Sequence, residues 1–358
     1  MKRIVLTGGG TAGHVTPNIA LLPKLRELGY DIHYIGSYEG IEKKLIEELG
    51  VPYHGIASGK LRRYFDWKNF SDPFRVMKGF FQSKKLLKQL KPDIIFSKGG
   101  FVSVPVVLAA KHAKIPTIIH ESDMTPGLAN KLCSPVAEKV CCNFPETMKN
   151  IPADKAVLTG SPIRAELAQG SRLAGLNMCG FTANKPVIMV IGGSLGAANV
   201  NKAVRDALPK LLEDFQVVHL CGKDKIDNLL LNTPGYKQFE YIKAELKDIF
   251  AMADIVISRA GANAICELLA LKKPNILIPL PAASSRGDQL LNAASFEAQG
   301  YSIVLNEDDI TTNLLVDKVH ELYFNRQNYV DAMSKSHQMD AVKTIMELIN
   351  EAADKKTN

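Results

Sequence analysis

Aromatic side chains are scarce in this 358-residue chain, at 7% of residues, and there is a single tryptophan, Trp67. Six cysteines (133, 141, 142, 179, 221 and 266) are scattered without metal-ligand spacing, and two of them are adjacent. That pattern excludes a zinc knuckle and a disulfide framework, and it predicts reduced core thiols. No apolar run approaches the roughly 18 residues of a membrane span, so no transmembrane helix is expected. The chain opens directly on a strand-like stretch, which leaves no room for a secretion signal. No Asp-x-Asp triplet offers itself as a metal site, and neither metal nor cofactor is expected.

What is present is a globular composition, 46% hydrophobic and 23% charged, in a length that allows two domains with separate cores. The net charge of +7 is concentrated: residues 60–91 carry ten Lys/Arg against two acids, and the remainder of the chain sums to −1. Seven of the 25 aromatics fall in the same segment. Rings interleaved with cations suit a surface where aromatics sit at headgroup depth and Lys/Arg meet anionic lipid. Arg62, Arg63, Phe65, Trp67, Phe70, Phe74, Phe80 and Phe81 are the candidate membrane contacts. Nucleic acid would use the same residue types, and a core helix with a wet basic face is the plainer alternative. The confinement of the charge to one segment argues against a general nucleic-acid coat.

The chain is organised around two echoing stretches. Pro186-Val-Ile-Met-Val-Ile-Gly192-Gly-Ser-Leu-Gly196 reads as a buried strand, a Gly-rich turn and the start of a helix. Lys2-Arg-Ile-Val-Leu-Thr-Gly8-Gly-Gly-Thr-Ala-Gly-His14 repeats the pattern at the N-terminus. Glycine lets backbone approach a ligand, and the following helix presents unpaired N–H groups, so each is an anion site or simply a tight turn. The chain therefore reads as two doubly wound α/β halves facing a cleft. The first half has the Gly-x-Gly-x-x-Gly spacing of a dinucleotide site, but strand two ends in Gly36-Ser37, without the acid that would hold a ribose. A dehydrogenase is thereby disfavoured.

Further strand–loop junctions place polar groups where parallel sheets bind ligands. They are Ser97-Lys98-Gly99-Gly100, His120-Glu121-Ser122-Asp123, and Ser258-Arg259-Ala260-Gly261 with Glu267 a turn into the next helix. Glu267 either accepts ribose hydroxyls or complements the helix dipole. Arg164, in the Gly160-Ser-Pro-Ile-Arg164 linker, either pairs with phosphate or caps a helix. Strands are expected at 216–221 and 239–242, a last amphipathic helix at 336–350, and a frayed tail at 351–358.

Together with Asp288-Gln289, these loops resemble the MurG family, the bacterial N-acetylglucosaminyltransferases that make lipid II from lipid I. The match runs in order through roughly residues 4–300. The Ser-Gly-Lys-Leu-Arg-Arg-Tyr run resembles the Gram-positive, low-GC branch. Two positions depart from the family pattern: Ala12 stands for a glycine and Asp123 for a frequent asparagine. The resemblance implies a GT-B fold, with residues 1–162 facing acceptor and membrane, residues 163–335 binding UDP-GlcNAc, and residues 336–358 packing back on the first domain. It implies inverting transfer of GlcNAc to the 4-hydroxyl of MurNAc in lipid I, in peptidoglycan synthesis. The enzyme would sit peripherally on the cytoplasmic face of the cell membrane, with other cell-wall enzymes as further candidate partners. Another GT-B lipid glycosyltransferase, such as a diacylglycerol glucosyltransferase, is the alternative. Carried over by motif, the donor contacts are Thr11, Ala12, Gly13, Asp123, Arg164, Gly193, Ser194, Ile242, Ala262, Glu267 and Gln289. His14 is the first candidate base, on the expectation that its pKa suits neutral pH, with His120 and Glu121 as alternatives.

Overall fold

A computed structural model describes residues 1–59, 72–193, 196–282, 287–336 and 340–357. The chain divides into two units, Met1–Arg164 with Asp340–Asn358, and Ala165–Met339.

Among the described residues of the first unit, seven strands form one parallel sheet. They are β1 (Arg3–Thr7), β2 (Asp31–Ser37), β3 (Tyr53–Ile56), β4 (Ile94–Ser97), β5 (Thr117–Glu121), β6 (Lys139–Cys142) and β7 (Ala156–Leu158). Their order is β3-β2-β1-β4-β5-β6-β7. Helices cover both faces, so the strands are apolar throughout: Ile4 and Leu6 of β1 enter one core and Val5 the other. The order reverses between β1 and β4, where Thr7 pairs with Ser97. The loops after these two strands therefore leave the sheet side by side, at the switch point where open α/β sheets bind ligands.

The second unit repeats the plan with β8 (Val187–Ile191), β9 (Gln216–Leu220), β10 (Tyr236–Phe239), β11 (Ile255–Ser258), β12 (Asn275–Leu277) and β13 (Ser302–Val304). Their order is β10-β9-β8-β11-β12-β13, and Ile191 pairs with Ser258 at the reversal. The helix Ala198–Asp214 lays Val200, Val204, Ala207, Leu208 and Leu211 against Ile188 and Val190. That 3-4 spacing is the apolar face expected of a surface helix.

Three local expectations are corrected. The strand expected at 239–242 is β10, three residues earlier, because Gly235 makes the turn and Tyr236 and Gln238 point into the core. The tail is not frayed: the last helix runs Ala341–Thr357, and Ile345, Met346, Ile349, Ala352 and Ala353 are buried in the first unit's core. Phe80 is half-buried against the core under the helix Asp72–Leu90, not on that helix's outer face. All six cysteines are buried and none forms a disulfide, and desolvation pushes the thiols of Cys133, Cys141, Cys142 and Cys179 up to about 12. Among the described residues no helix is long and apolar enough to cross a membrane.

Candidate active site

The first unit's site starts from the loop after β1. Tyr34 donates its hydroxyl to the Gly8 carbonyl at 2.7 Å, and Asn18 donates to Thr7 O at 3.1 Å. The loop then turns through a short 3-10 helix, Ala12–His14. The loop after β4 packs on it so closely that a Cβ on Gly100 would lie 2.3 Å from Gly9 O, and Gly100 has φ +83°. Only glycine meets both demands.

His14 sits where these two loops meet, half-buried, its Nδ1 3.2 Å from the Lys98 carbonyl. A bond to a carbonyl puts the proton on Nδ1 and leaves the Nε2 lone pair for a substrate proton. The expectation of a near-neutral pKa is corrected: desolvation, and then the neighbouring Lys98 ammonium, lower it to about 4. His14 is therefore a neutral imidazole at pH 7, with Nδ1 protonated and Nε2 an acceptor. Lys98 is itself 1% exposed and contacts the Ser122 hydroxyl.

His120 and Glu121, at the end of β5, are buried and committed to the fold. His120 donates from Nε2 to Gly160 O at 2.9 Å, and burial holds its pKa well below the usual imidazole range. Glu121 accepts from the backbone N–H groups of Asp123 (3.0 Å) and Gly127 (2.9 Å) and from the Asn130 amide (2.9 Å). These bonds engage both of its oxygens in holding the loop that carries Asp123.

In the second unit, the loop after β8 contains Gly193 and ends at Gly196, where a Cβ would lie 2.1 Å from Cys221 O and φ is +68°. Ser194 lies outside the described residues. The helix Ala198–Asp214 that follows has no side-chain N-cap, so its first-turn N–H groups are free to meet an anion. Asn201 donates to Cys221 O at 2.9 Å and Lys225 Nζ to Gly196 O at 3.2 Å, fixing the loop from its far end. The loop after β11 is pinned by Arg259, which donates to Ile278 O and Pro279 O and pairs with the half-buried Glu307. Glu307 also accepts from Asn199 at 2.6 Å, so one carboxylate ties the β11 loop to the first turn of the helix after β8. Ala262 opens the helix Ala262–Ala270, Glu267 sits within it, and Ile242 is buried just beyond β10. Gln289 accepts from Leu280 N at 3.1 Å and keeps its amide N–H₂ as a donor. Thr11 and Gly13 lie on the first unit's loop, and Arg164 is half-buried at the unit boundary. Lys98, Arg259, Glu307 and Lys225 were not among the expected site residues. The signal for Arg259 and Lys98 was their place inside Gly-rich strand ends; Glu307 and Lys225 are remote in sequence from what they hold.

Of the expected membrane contacts, Arg62, Arg63, Phe65, Trp67 and Phe70 lie outside the described residues. Phe74 (71% exposed), Met77 and Phe81 (61%) form an outer stripe on the helix Asp72–Leu90, among Arg75, Lys78, Lys84, Lys85 and Lys88. Among the described residues no group of three or more His, Cys, Asp or Glu is arranged to hold a metal ion.

Residues 4–142 match the glycosyltransferase family 28 N-terminal domain and residues 187–349 its C-terminal domain. A protein of Lachnoclostridium phytofermentans, named UDP-N-acetylglucosamine–N-acetylmuramyl-(pentapeptide) pyrophosphoryl-undecaprenol N-acetylglucosamine transferase, is 66% identical over 98% of this chain and 99% of its own. A Clostridium botulinum protein of the same name is 60% identical over 98% and 99%. The crystal structure of Acinetobacter baumannii MurG superposes with a TM-score of 0.76 at 27% identity, covering 98% of this chain and 100% of that one. A UDP-GlcNAc 2-epimerase of Neisseria meningitidis shares the fold at 15% identity and a TM-score of 0.68 over 98% and 100%. Two parallel doubly wound sheets, both domain matches and full-length identity of this order place the chain in glycosyltransferase family 28, as a member of its MurG family.

Proposed function

We propose that the chain transfers GlcNAc from UDP-GlcNAc to the 4-hydroxyl of MurNAc in lipid I, with inversion, giving lipid II. The observation that carries this is 66% identity along essentially the whole length of a transferase named for that reaction. The same identity disfavours a diacylglycerol acceptor.

The chemistry needs a base for the hydroxyl, neutralisation of the departing diphosphate, and alignment. His14 is the base of choice: Nε2 accepts the 4-hydroxyl proton, the oxygen attacks C1 of GlcNAc, and the bond from C1 to the UDP oxygen breaks. His120 and Glu121 serve better as supports, since His120 is wholly buried with Nε2 held on the Gly160 carbonyl, and Glu121 holds the loop of Asp123. Loop 192–196 and the uncapped helix start receive the diphosphate, joined by Gly193, Ser194 and Arg164. Ile242 and Ala262 frame the base, Glu267 accepts the ribose hydroxyls, and Gln289 donates to the sugar. Thr11, Ala12, Gly13 and Asp123 are the proposed contacts from the first unit.

We also propose peripheral attachment to the anionic cytoplasmic face of the membrane. The exposed Phe74, Met77 and Phe81 among lysines support it.

The test is transfer of labelled GlcNAc from UDP-GlcNAc to a lipid I analogue in the presence of EDTA. Disaccharide product is expected. Donor hydrolysis or epimerisation without product would remove the acceptor assignment and leave only a nucleotide-sugar site.

A further inference from the structure

Glu42, on the short helix Ile41–Glu47, is fully buried, although it is a carboxylate with no ion-pair partner among the described residues. Its Oε2 accepts from the Gly10 N–H at 3.2 Å; its Oε1 accepts from the Ser37 N–H at 3.0 Å and from the Ser37 hydroxyl. Three glycines make room for it. A Cβ would lie 2.5 Å from the carboxyl carbon at Gly9, 2.1 Å from both oxygens at Gly40, and 2.9 Å from Cγ at Gly36. These residues come from the β1 loop, the end of β2 and the turn after it. In a doubly wound sheet that is the ground between the Gly-rich loop and the end of the second strand, where a dinucleotide's phosphate and ribose bind.

We propose that Glu42 is a positioning residue for His14: its carboxylate fills the anion seat of the first Gly-rich loop, so that the loop holds a base instead of a nucleotide. The inference rests on the reading of His14 as the base. A loop whose amide already binds an internal anion needs no ligand to order it. His14, four residues beyond Gly10, is thereby set before substrate arrives. The charged groups that act on His14 are Lys98, which lowers its pKa, and Glu42, which raises it. Glu42 therefore has a second effect, keeping His14 more basic than burial beside a lysine would leave it.

The experiment compares the full-length enzyme with Glu42→Gln and Glu42→Ala. Glu42→Gln keeps the shape and loses the charge. Its kcat is expected to fall by about 10- to 100-fold with a much smaller rise in the KM for UDP-GlcNAc, since the base loses geometry and basicity while most donor contacts lie on the second unit. The His14 ring, followed by NMR titration of labelled histidine, should titrate at lower pH in Glu42→Gln, while His219 of the other unit stays put. Formate should restore part of the kcat of Glu42→Ala, by entering the vacated seat, and should not help Glu42→Gln. Wild-type kcat with an unmoved His14 titration in Glu42→Gln would overturn the proposal. So would losses of kcat, donor affinity and melting temperature that run in parallel and are insensitive to formate, because those mark a merely structural carboxylate. If His14→Ala retains turnover, the base reading fails, while the His14 titration still decides whether Glu42 positions that ring.

Discussion

At the scale of single residues, the chemistry depends on where each imidazole is placed. Three are held neutral by burial: His14 at about 4, His219 at about 3, and His120 well below its usual range. Only His14 combines this with partial exposure and a ring nitrogen not committed to the fold. The working form of His14 is deprotonated, so activity is lost as pH falls through its folded pKa. We expect kcat/KM to stay level from about pH 8 down to about pH 5 and to drop below about pH 4. An acid limb near the ordinary imidazole value would remove His14 as the base in the environment described. His14→Ala should lower kcat by about 10²- to 10⁴-fold with donor affinity intact, measured by calorimetry with UDP-GlcNAc. The identity of His14 was legible from its place at the tip of a strand–glycine–helix loop. Its depressed pKa was not, because it comes first from burial in the folded loops and then from Lys98, which is remote in sequence and brought close by the pairing of β1 with β4. Glu42 was illegible for a similar reason. Gly9, Gly36 and Gly40 supply space for one side chain, which their positions in the sequence do not reveal.

At the scale of elements, strands and Gly-rich turns were the most legible, since short β-branched runs ending in glycine have few other readings. Elements whose signal was tertiary were misplaced. The last helix was cut short because residues 351–357 look polar, yet Ala352 and Ala353 are small enough to enter the core. In the helix Asp72–Leu90 the sequence shows aromatics and cations but not which face each takes. Phe80 and Leu87 face the core, while Phe74, Met77 and Phe81 face out. That split yields a selective prediction. The double variant Phe74→Ser, Phe81→Ser should bind anionic vesicles more weakly in sedimentation and lose the rest in high salt, since each cation retains roughly 1 kcal/mol of salt-sensitive attraction. Turnover of a water-soluble acceptor should be unchanged. Equal vesicle binding by variant and wild type would exclude this stripe as the attachment surface.

At the scale of the whole molecule, two sheets with the same strand order at their switch points are put to different uses. In the first, an internal carboxylate occupies the Gly-rich loop; in the second, the loop leads to an uncapped helix start. The last helix, Ala341–Thr357, completes the first unit's core beside Ile4, Leu6 and Leu21. Ile345, Met346 and Ile349 each contribute roughly 1.5–3 kcal/mol by burial. Removing residues 341–358 should therefore lower the melting transition of the first unit and leave that of the second, read as UDP-GlcNAc-protected unfolding, close to its original temperature. A common downward shift of both would contradict that division. The position of this helix also sets an order of events during synthesis. The ribosome emits the first unit first, but its core lacks one wall until the final residues emerge. The second unit, complete in one continuous stretch, can mature while the earlier-made one waits for its closing piece, so a premature stop near the end of the message harms the domain that was translated first.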